Sequence, residues 1–232
     1  MYKSKVLKIE FKNYFRAGSG SGQGSSMDDT NVKDDNGLPY IGGKHIRGII
    51  RNAVYRAEQW GWYEDSKKEI DKHQITESLT DLIFGKESKN NNSEESKTTN
   101  GIIFINNAKL EEAELCYLQQ PDNSTLRQGL FKKLSNIEIN AETKTTKDGS
   151  LRSGEVAIPM TLFVQIDLIG IRGYDEIKEQ QKKLLENFEP MIWQVINNAL
   201  PLIKSFGAKR SRGLGECIVS MVDYEQGVAN DS

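Results

Sequence analysis

The chain has 232 residues, 37% hydrophobic and 28% charged, with 20 glycines and a formal net charge of −2. That length suffices for one sizeable core or for one domain carrying large insertions. No run approaches the roughly 20 apolar residues of a membrane span, and the start, MYKSKVLKIEF, lacks the apolar stretch of a secretory signal. Two distant cysteines (Cys116, Cys217) and two histidines (His45, His73) lack zinc-module spacing, so a cytoplasmic protein without membrane attachment is expected.

In chain order, SKVLKIEF at residues 4–11 alternates apolar and polar positions and reads as a first strand. A flexible Gly/Ser stretch at 18–26 follows and leads into an acidic, turn-rich segment, MDDTNVKDDNG, at 27–37. LPYIGG at 38–43 is a short extended lead-in to a helix over residues 44–60. There Ile46, Ile49, Ile50, Ala53, Val54 and Ala57 fall on one face, while Lys44, Arg47 and Arg51 fall on another. Gly48 inside this helix costs about 1 kcal/mol against alanine, which points to close packing or to close approach of a ligand. Trp60, Trp62 and Tyr63 at the helix end are expected to pack rather than to stack bases.

Residues 61–100 read as an insertion ending in a low-complexity run, and residues 101–105, GIIFI, as a second strand. Short strand pieces are expected at 115–118 and 134–139, and TKTTKDGSLRSG at 143–154 has the turn chemistry of a cationic hairpin tip. TLFVQIDLI at 161–169 is a clear strand, with Phe163 expected in the core. A helical stretch from about 175 is limited by Pro190 and Pro201. A glycine-rich turn at 206–215 and a last strand at 216–222 complete the chain. The order β-α-β…β-α-β predicts a ferredoxin-like α+β fold with insertions.

Net charge conceals local charge. Residues 44–56 carry Lys44, His45, Arg47, Arg51 and Arg56 with no acid, and residues 199–215 carry Lys204, Lys209, Arg210 and Arg212, again with none. Local positive surface, not the average, is what attracts phosphate. FGAKRSRGLG at 206–215 reads as an anion cradle, its glycines admitting close backbone approach and its cations adding charge. A solvated turn with incidental cations is the competing reading. The glycines before Lys44 similarly leave helix N-terminal N–H groups for an anion, against a plain solvated cationic face. No phosphate-binding G-x-x-x-x-G-K-[ST] motif occurs.

The pairing of GLPYIGGKHIRGIIR near the start with FGAKRSRGLGE near the end resembles the RAMP superfamily, the repeat-associated proteins forming the backbone of type III CRISPR effector complexes. Leu82-Ile83-Phe84-Gly85, residues 102–108 and the run from Ile139 through Thr143 to Glu155 resemble weaker landmarks in the same order. The resemblance spans about residues 5–222 and departs at Gly42 and His45, where the family usually has proline and serine.

It implies one domain over 1–232. A modified RRM-type palm would occupy about 1–60, 101–118 and 156–222, a lid-like insertion 61–100, a thumb-like hairpin 119–155 and a tail 223–232. CRISPR RNA would be bound by Lys44, His45, Arg47, Arg51, Gly207, Lys209, Arg210, Ser211, Arg212 and Gly213. Target RNA, other effector-complex subunits and copies of this chain in a filament are the implied partners. In family members that cut target RNA, an aspartate in the loop after the first strand is required. Here that points to Asp28, then Asp29, with Asp28 holding Mg²⁺ or a similar divalent cation while the RNA 2′-OH attacks. The alternatives are a non-catalytic guide-binding subunit and a guide-processing ribonuclease using His45.

Overall fold

The computed structural model describes residues 3–17, 30–86, 99–136, 145, 152–169 and 176–222. Strand β1 (Lys3–Phe11) sends Leu7, Ile9 and Phe11 to one face, as its alternation requires. Helix α1 (Gly43–Gln59) buries Ile46, Ile50, Ala53, Val54 and Ala57, the i, i+4, i+7, i+8, i+11 stripe of an amphipathic helix. Burying each isoleucine or valine contributes about 1.5–3 kcal/mol relative to exposure. Gly43 opens the helix because a Cβ there would collide with the carbonyls of Ile105 and Asn106.

After α1 come α2 (Glu64–Asp71), α3 (Leu79–Phe84) and a two-residue pair, β2 (Gly85–Lys86) with β3 (Thr99–Asn100). Ile70, Ile75, Leu79, Leu82, Ile83 and Phe84 are buried in the same core as α1, so residues 64–86 are integrated with the body of the fold. Residues 87–98, the low-complexity run, lie outside the described residues. Strand β4 (Ile103–Ile105) follows. Residues 115–118 are not strand but part of helix α4 (Glu112–Gln119). Glu112 and Glu114 in its first turn favour the helix N-terminus, and no residue of α4 is buried, so nothing holds Leu115–Leu118 extended.

Helix α5 (Ser124–Gly129) leads into a hairpin of β5 (Phe131–Asn136) and β6 (Arg152–Ala157). Residues 143 and 144 and 146–151, the expected tip, lie outside the described residues. Strand β7 (Thr161–Leu168) alternates strictly, and it turns Phe163 to a half-buried position away from the core face. Helices α6 (Glu176–Asn187) and α7 (Glu189–Ala199) follow, and Pro190 sits in the first turn of α7, where its missing N–H costs nothing. Strand β8 (Cys217–Val222) is the last described element.

The main sheet is antiparallel in the order β4-β7-β1-β8, the arrangement of a ferredoxin-like βαββαβ unit. Pairing runs from Lys3↔Leu168 to Glu10↔Thr161 on one side of β1 and from Val6↔Val222 to Phe11↔Cys217 on the other. Helices α1 and α7 pack together over one face. Tyr63 after the end of α1 is buried and donates to the Val195 carbonyl at 2.9 Å, whereas Trp60 and Trp62 do not enter the core: they are 58% and 49% exposed. Among the described residues no helix is long and apolar enough to cross a membrane.

Candidate nucleic-acid interface

The sheet order places the start of α1 beside the loop that precedes β8. The two cationic segments, about 160 residues apart in sequence, therefore meet in space. Between them lies an open groove of about 690 Å³ lined by Lys44, His45, Gly48, Asn52 and Arg56 from α1 and by Lys204, Ser205 and Arg210 opposite. None of Lys44, Lys204, Arg210 or Arg212 forms a salt bridge with a described residue. A groove with several unneutralised cations suits a polyanion.

The glycine-rich loop is built by its own packing. Gly207, Gly213 and Gly215 all have positive φ. A Cβ on Gly207 would meet the Arg16 carbonyl, and one on Gly215 the Phe206 carbonyl. Lys209 adopts the left-handed conformation, and a single 3₁₀ turn, Arg210–Arg212, closes between it and Gly213. Several loop N–H groups are already committed. Gly207 donates to His45 Nε2 at 3.2 Å, Ala208 to the Arg16 carbonyl at 2.7 Å and Gly215 to the Tyr14 carbonyl at 2.8 Å. Arg212 and Gly213 donate within the turn. The exposed side chains of Arg210, Ser211 and Arg212, more than backbone donors, are what this loop offers an anion.

His45 joins the two segments. Its Nε2 accepts from Gly207, so the proton of the neutral ring sits on Nδ1. Partial burial, then the neighbouring Arg210 guanidinium, holds its pKa below the ordinary 6.5. The ring is neutral at pH 7 and its Nε2 lone pair is already occupied, a poor arrangement for a general base.

Arg47 and Arg51 turn away from the groove. Arg47 donates to the Phe84 carbonyl. Arg51 donates to the Gly85 carbonyl and to Asp81 Oδ1, both at 3.1 Å. Two cations thus cap the C-terminal carbonyls of α3, where the helix dipole is negative. Gly85, at φ +89°, lets the chain pass close to the Thr99 carbonyl. The Phe84-Gly85 step and these two arginines form one structural joint.

Asp28 and Asp29 lie outside the described residues, but both ends of their loop are fixed. Ala17 N–H donates to Asn31 Oδ1 at 2.8 Å, and Val32 N–H to the Ala17 carbonyl at 2.7 Å. Lys33 pairs with Glu155 of β6 at 2.8 Å, and Asn31 N–H donates to the same carboxylate at 3.2 Å. Through Arg16 the loop's neck touches Gly207 and Ala208. Among the described residues no three His, Cys, Asp or Glu side chains gather to hold a metal ion.

Arg56, Lys204 and Asn52 are not among the residues singled out from sequence as RNA-binding. Arg56 is findable there, since at 100° per residue it lies about 20° from His45 around the helix. Lys204 is brought in by the Ser205↔Glu216 bridge, which no local pattern announces.

Fold and site together define a ferredoxin-like α+β domain with a cationic groove between its first helix and its last loop. The RAMP superfamily model matches residues 8–218, and the chain belongs to that superfamily. Among solved structures, a chain of the cryo-electron-microscopy structure of the Type III-B Cmr-beta bound to cognate target RNA is similar, with a TM-score of 0.59 and 10% identity, covering 94% of this chain and 97% of that one. A chain of the apo-state Type III-B Cmr-beta structure gives a TM-score of 0.55 and 11% identity over the same shares. No curated protein matches.

Proposed function

We propose that this chain is a guide-RNA-binding backbone subunit of a type III CRISPR effector complex, holding CRISPR RNA in the groove between α1 and the 206–215 loop. The observation that carries this reading is the meeting of Lys44 and Arg210, neither of them in a salt bridge with a described residue, across one groove between segments from opposite ends of the chain. Family membership and the likeness to chains of the Type III-B Cmr-beta structures support it. Such a groove contacts phosphates, so it holds RNA without reading its bases. Other effector subunits, target RNA and copies of this chain along the guide are the partners that follow from the reading, in the cytoplasm.

The catalytic branch is cleavage of guide-paired target RNA at the loop carrying Asp28 and Asp29. RNA brings its own nucleophile, the 2′-OH, and a carboxylate there would hold a divalent cation such as Mg²⁺ to offset charge building on the phosphate. The fixed neck at Ala17, Asn31 and Val32 supports that role, since Arg16 beside it meets Gly207 and Ala208 of the groove's loop. Guide processing by His45 is disfavoured, because its Nε2 accepts from Gly207.

Purification of the assembly, with sequencing of co-purifying RNA, tests the binding reading: short RNAs sharing one repeat-derived end are expected. Recovery without RNA or partner subunits would overturn it. Target RNA added with Mg²⁺ to the assembly carrying Asp28→Ala and Asp29→Ala should stay intact while remaining bound. Undiminished cutting would remove the acidic loop from the mechanism.

A further inference from the structure

Beyond the meeting of the two cationic segments, the outer face of α1 has a pattern of its own. Lys44, Gly48, Asn52, Arg56 and Trp60 stand four residues apart along one inclined row, which advances about 24 Å along the axis while winding about 160° around the helix, from the groove to the edge of the buried stripe. Four of them are exposed and Arg56 is half-buried. The row carries no acid. Glu58, the one carboxylate of α1, is turned to the other side, where it accepts from the Leu79 and Thr80 N–H groups.

Two features of the row lack a structural explanation. Nothing lies within 4 Å of a Cβ built on Gly48, and its φ is helical rather than positive. Packing therefore does not demand glycine there, although glycine in mid-helix costs stability. Trp60 is 58% exposed at the end of the row, with the Arg56 guanidinium 5.9 Å from its ring centroid and Trp62 tilted against it at 5.9 Å. With Trp62 it makes an exposed aromatic patch, which marks a contact surface as an isolated exposed side chain would not.

We propose that this row is a track for single-stranded RNA: the sugar–phosphate backbone is drawn down over Gly48, and an unpaired base stacks on Trp60. The inference rests on the reading of the groove as an RNA site and adds where the strand goes and how a base is held. Charge selects the occupant, because the row itself carries cations and no carboxylate, the exposed Glu64 and Asp65 lying past Gly61 in α2. Cationic grooves that end in aromatic platforms are how single strands are held without sequence readout, in sites from about 4 nucleotides upward. A side chain at Gly48 would stand between strand and helix.

Binding of a 12-nucleotide oligoadenylate and of a 12-base-pair RNA duplex to the full chain, with Trp fluorescence and thermal melting in parallel, tests the proposal. Trp60→Ala should weaken single-strand binding about tenfold and leave duplex binding unchanged, since a paired base has no free face to offer. Trp60→Phe should recover most of the affinity while removing most of the quench seen on adding oligoadenylate. Gly48→Ala should raise the melting temperature and yet weaken single-strand binding. Equal affinity of Trp60→Ala and the parent for oligoadenylate would overturn the track. It would leave the groove standing if Arg210→Glu with Arg212→Glu still weakened RNA binding. Failure of Trp60→Ala only in association with further copies of the chain would likewise overturn it, making Trp60 a protein contact. If the unaltered chain bound neither probe, the groove reading itself would fall.

Discussion

Helix α1 carries cations on two sides, and they serve different ends. On the inner side Arg47 and Arg51 reach the carbonyls of Phe84 and Gly85 and the Asp81 carboxylate. On the outer side Lys44 and Arg56 face a groove whose far wall holds Lys204 and Arg210. At 100° per residue Lys44, Arg47 and Arg51 fall within about 60° of one another, so charge and periodicity group Lys44 with the two arginines that turn to structure. What separates them is the supply of acceptors. Arg47 and Arg51 are held by carbonyls and a carboxylate, Arg56 gives one bond to the helix-end carbonyl of Leu202 at 3.1 Å while still lining the groove, and Lys44 meets no acceptor among the described residues, so its charge remains for a ligand.

The sharpest test of the two sides is to break them separately. Gly43→Ala should be the most damaging small change, because the new Cβ would strike the Ile105 and Asn106 carbonyls and push α1 off β4. A loss of about 1–3 kcal/mol is expected, lowering the melting temperature by roughly 2–4 °C per kcal/mol for a chain of this size. A melt unchanged from the parent would mean that α1 is not seated as described. Arg51→Ala should cost about 1–3 kcal/mol through the missing carbonyl bond and the orphaned Asp81, with the exposed part of the ion pair adding little. Its folded fraction should still bind RNA as the parent does; a binding defect without a stability defect would move Arg51 to the outer group.

The outer side should respond in the opposite way. Arg210→Glu with Arg212→Glu should leave the melting temperature within about 1 °C, since neither side chain is buried. RNA affinity should fall by at least tenfold at moderate salt. The slope of log affinity against log salt should flatten by about 1.4, at roughly 0.7 for each single-strand phosphate that is no longer neutralised. An unchanged slope would make the glycine-rich loop a turn and nothing more.

Most of the palm is legible in sequence because burial writes itself as period: β1 and β7 alternate, and α1 repeats its apolar stripe at helical spacing. Residues 115–118 mislead because a short run of Leu, Cys, Tyr and Leu suits a strand, whereas the acids that start α4 lie just before it. Phe163 and the two tryptophans look like core from chemistry alone. Strand phase turns the first away, and the chain's reversal at Gly61, with φ +77°, leaves the others outside while Tyr63 goes in. At the site, clustering of cations is legible, but its division between structure and ligand is not. Arg47 and Arg51 acquire their partners from α3, about 30 residues or more away, and no local pattern reports where α3 docks. The glycines at 207 and 215 are legible as necessary but for another reason: they make room for the Arg16 and Phe206 carbonyls.

His45 lies on the boundary between the two sides, and its effect should be the smallest and the most specific. Its folded pKa is depressed below the ordinary 6.5 by partial burial and by Arg210, so the unfolded chain takes up the proton first as pH falls. The stability it contributes is therefore fully present above about pH 6.5 and is lost as pH drops through the lower folded value. Protonation also removes the lone pair that accepts from Gly207, loosening the loop that carries Arg210 and Arg212. His45→Gln retains an acceptor and cannot titrate. Its melting temperature should match the parent at pH 8 and fall less than the parent between pH 6.5 and pH 5. A parallel fall in both proteins would show that the Gly207 hydrogen bond does not couple the loop to α1, and the two cationic segments would then meet by proximity alone.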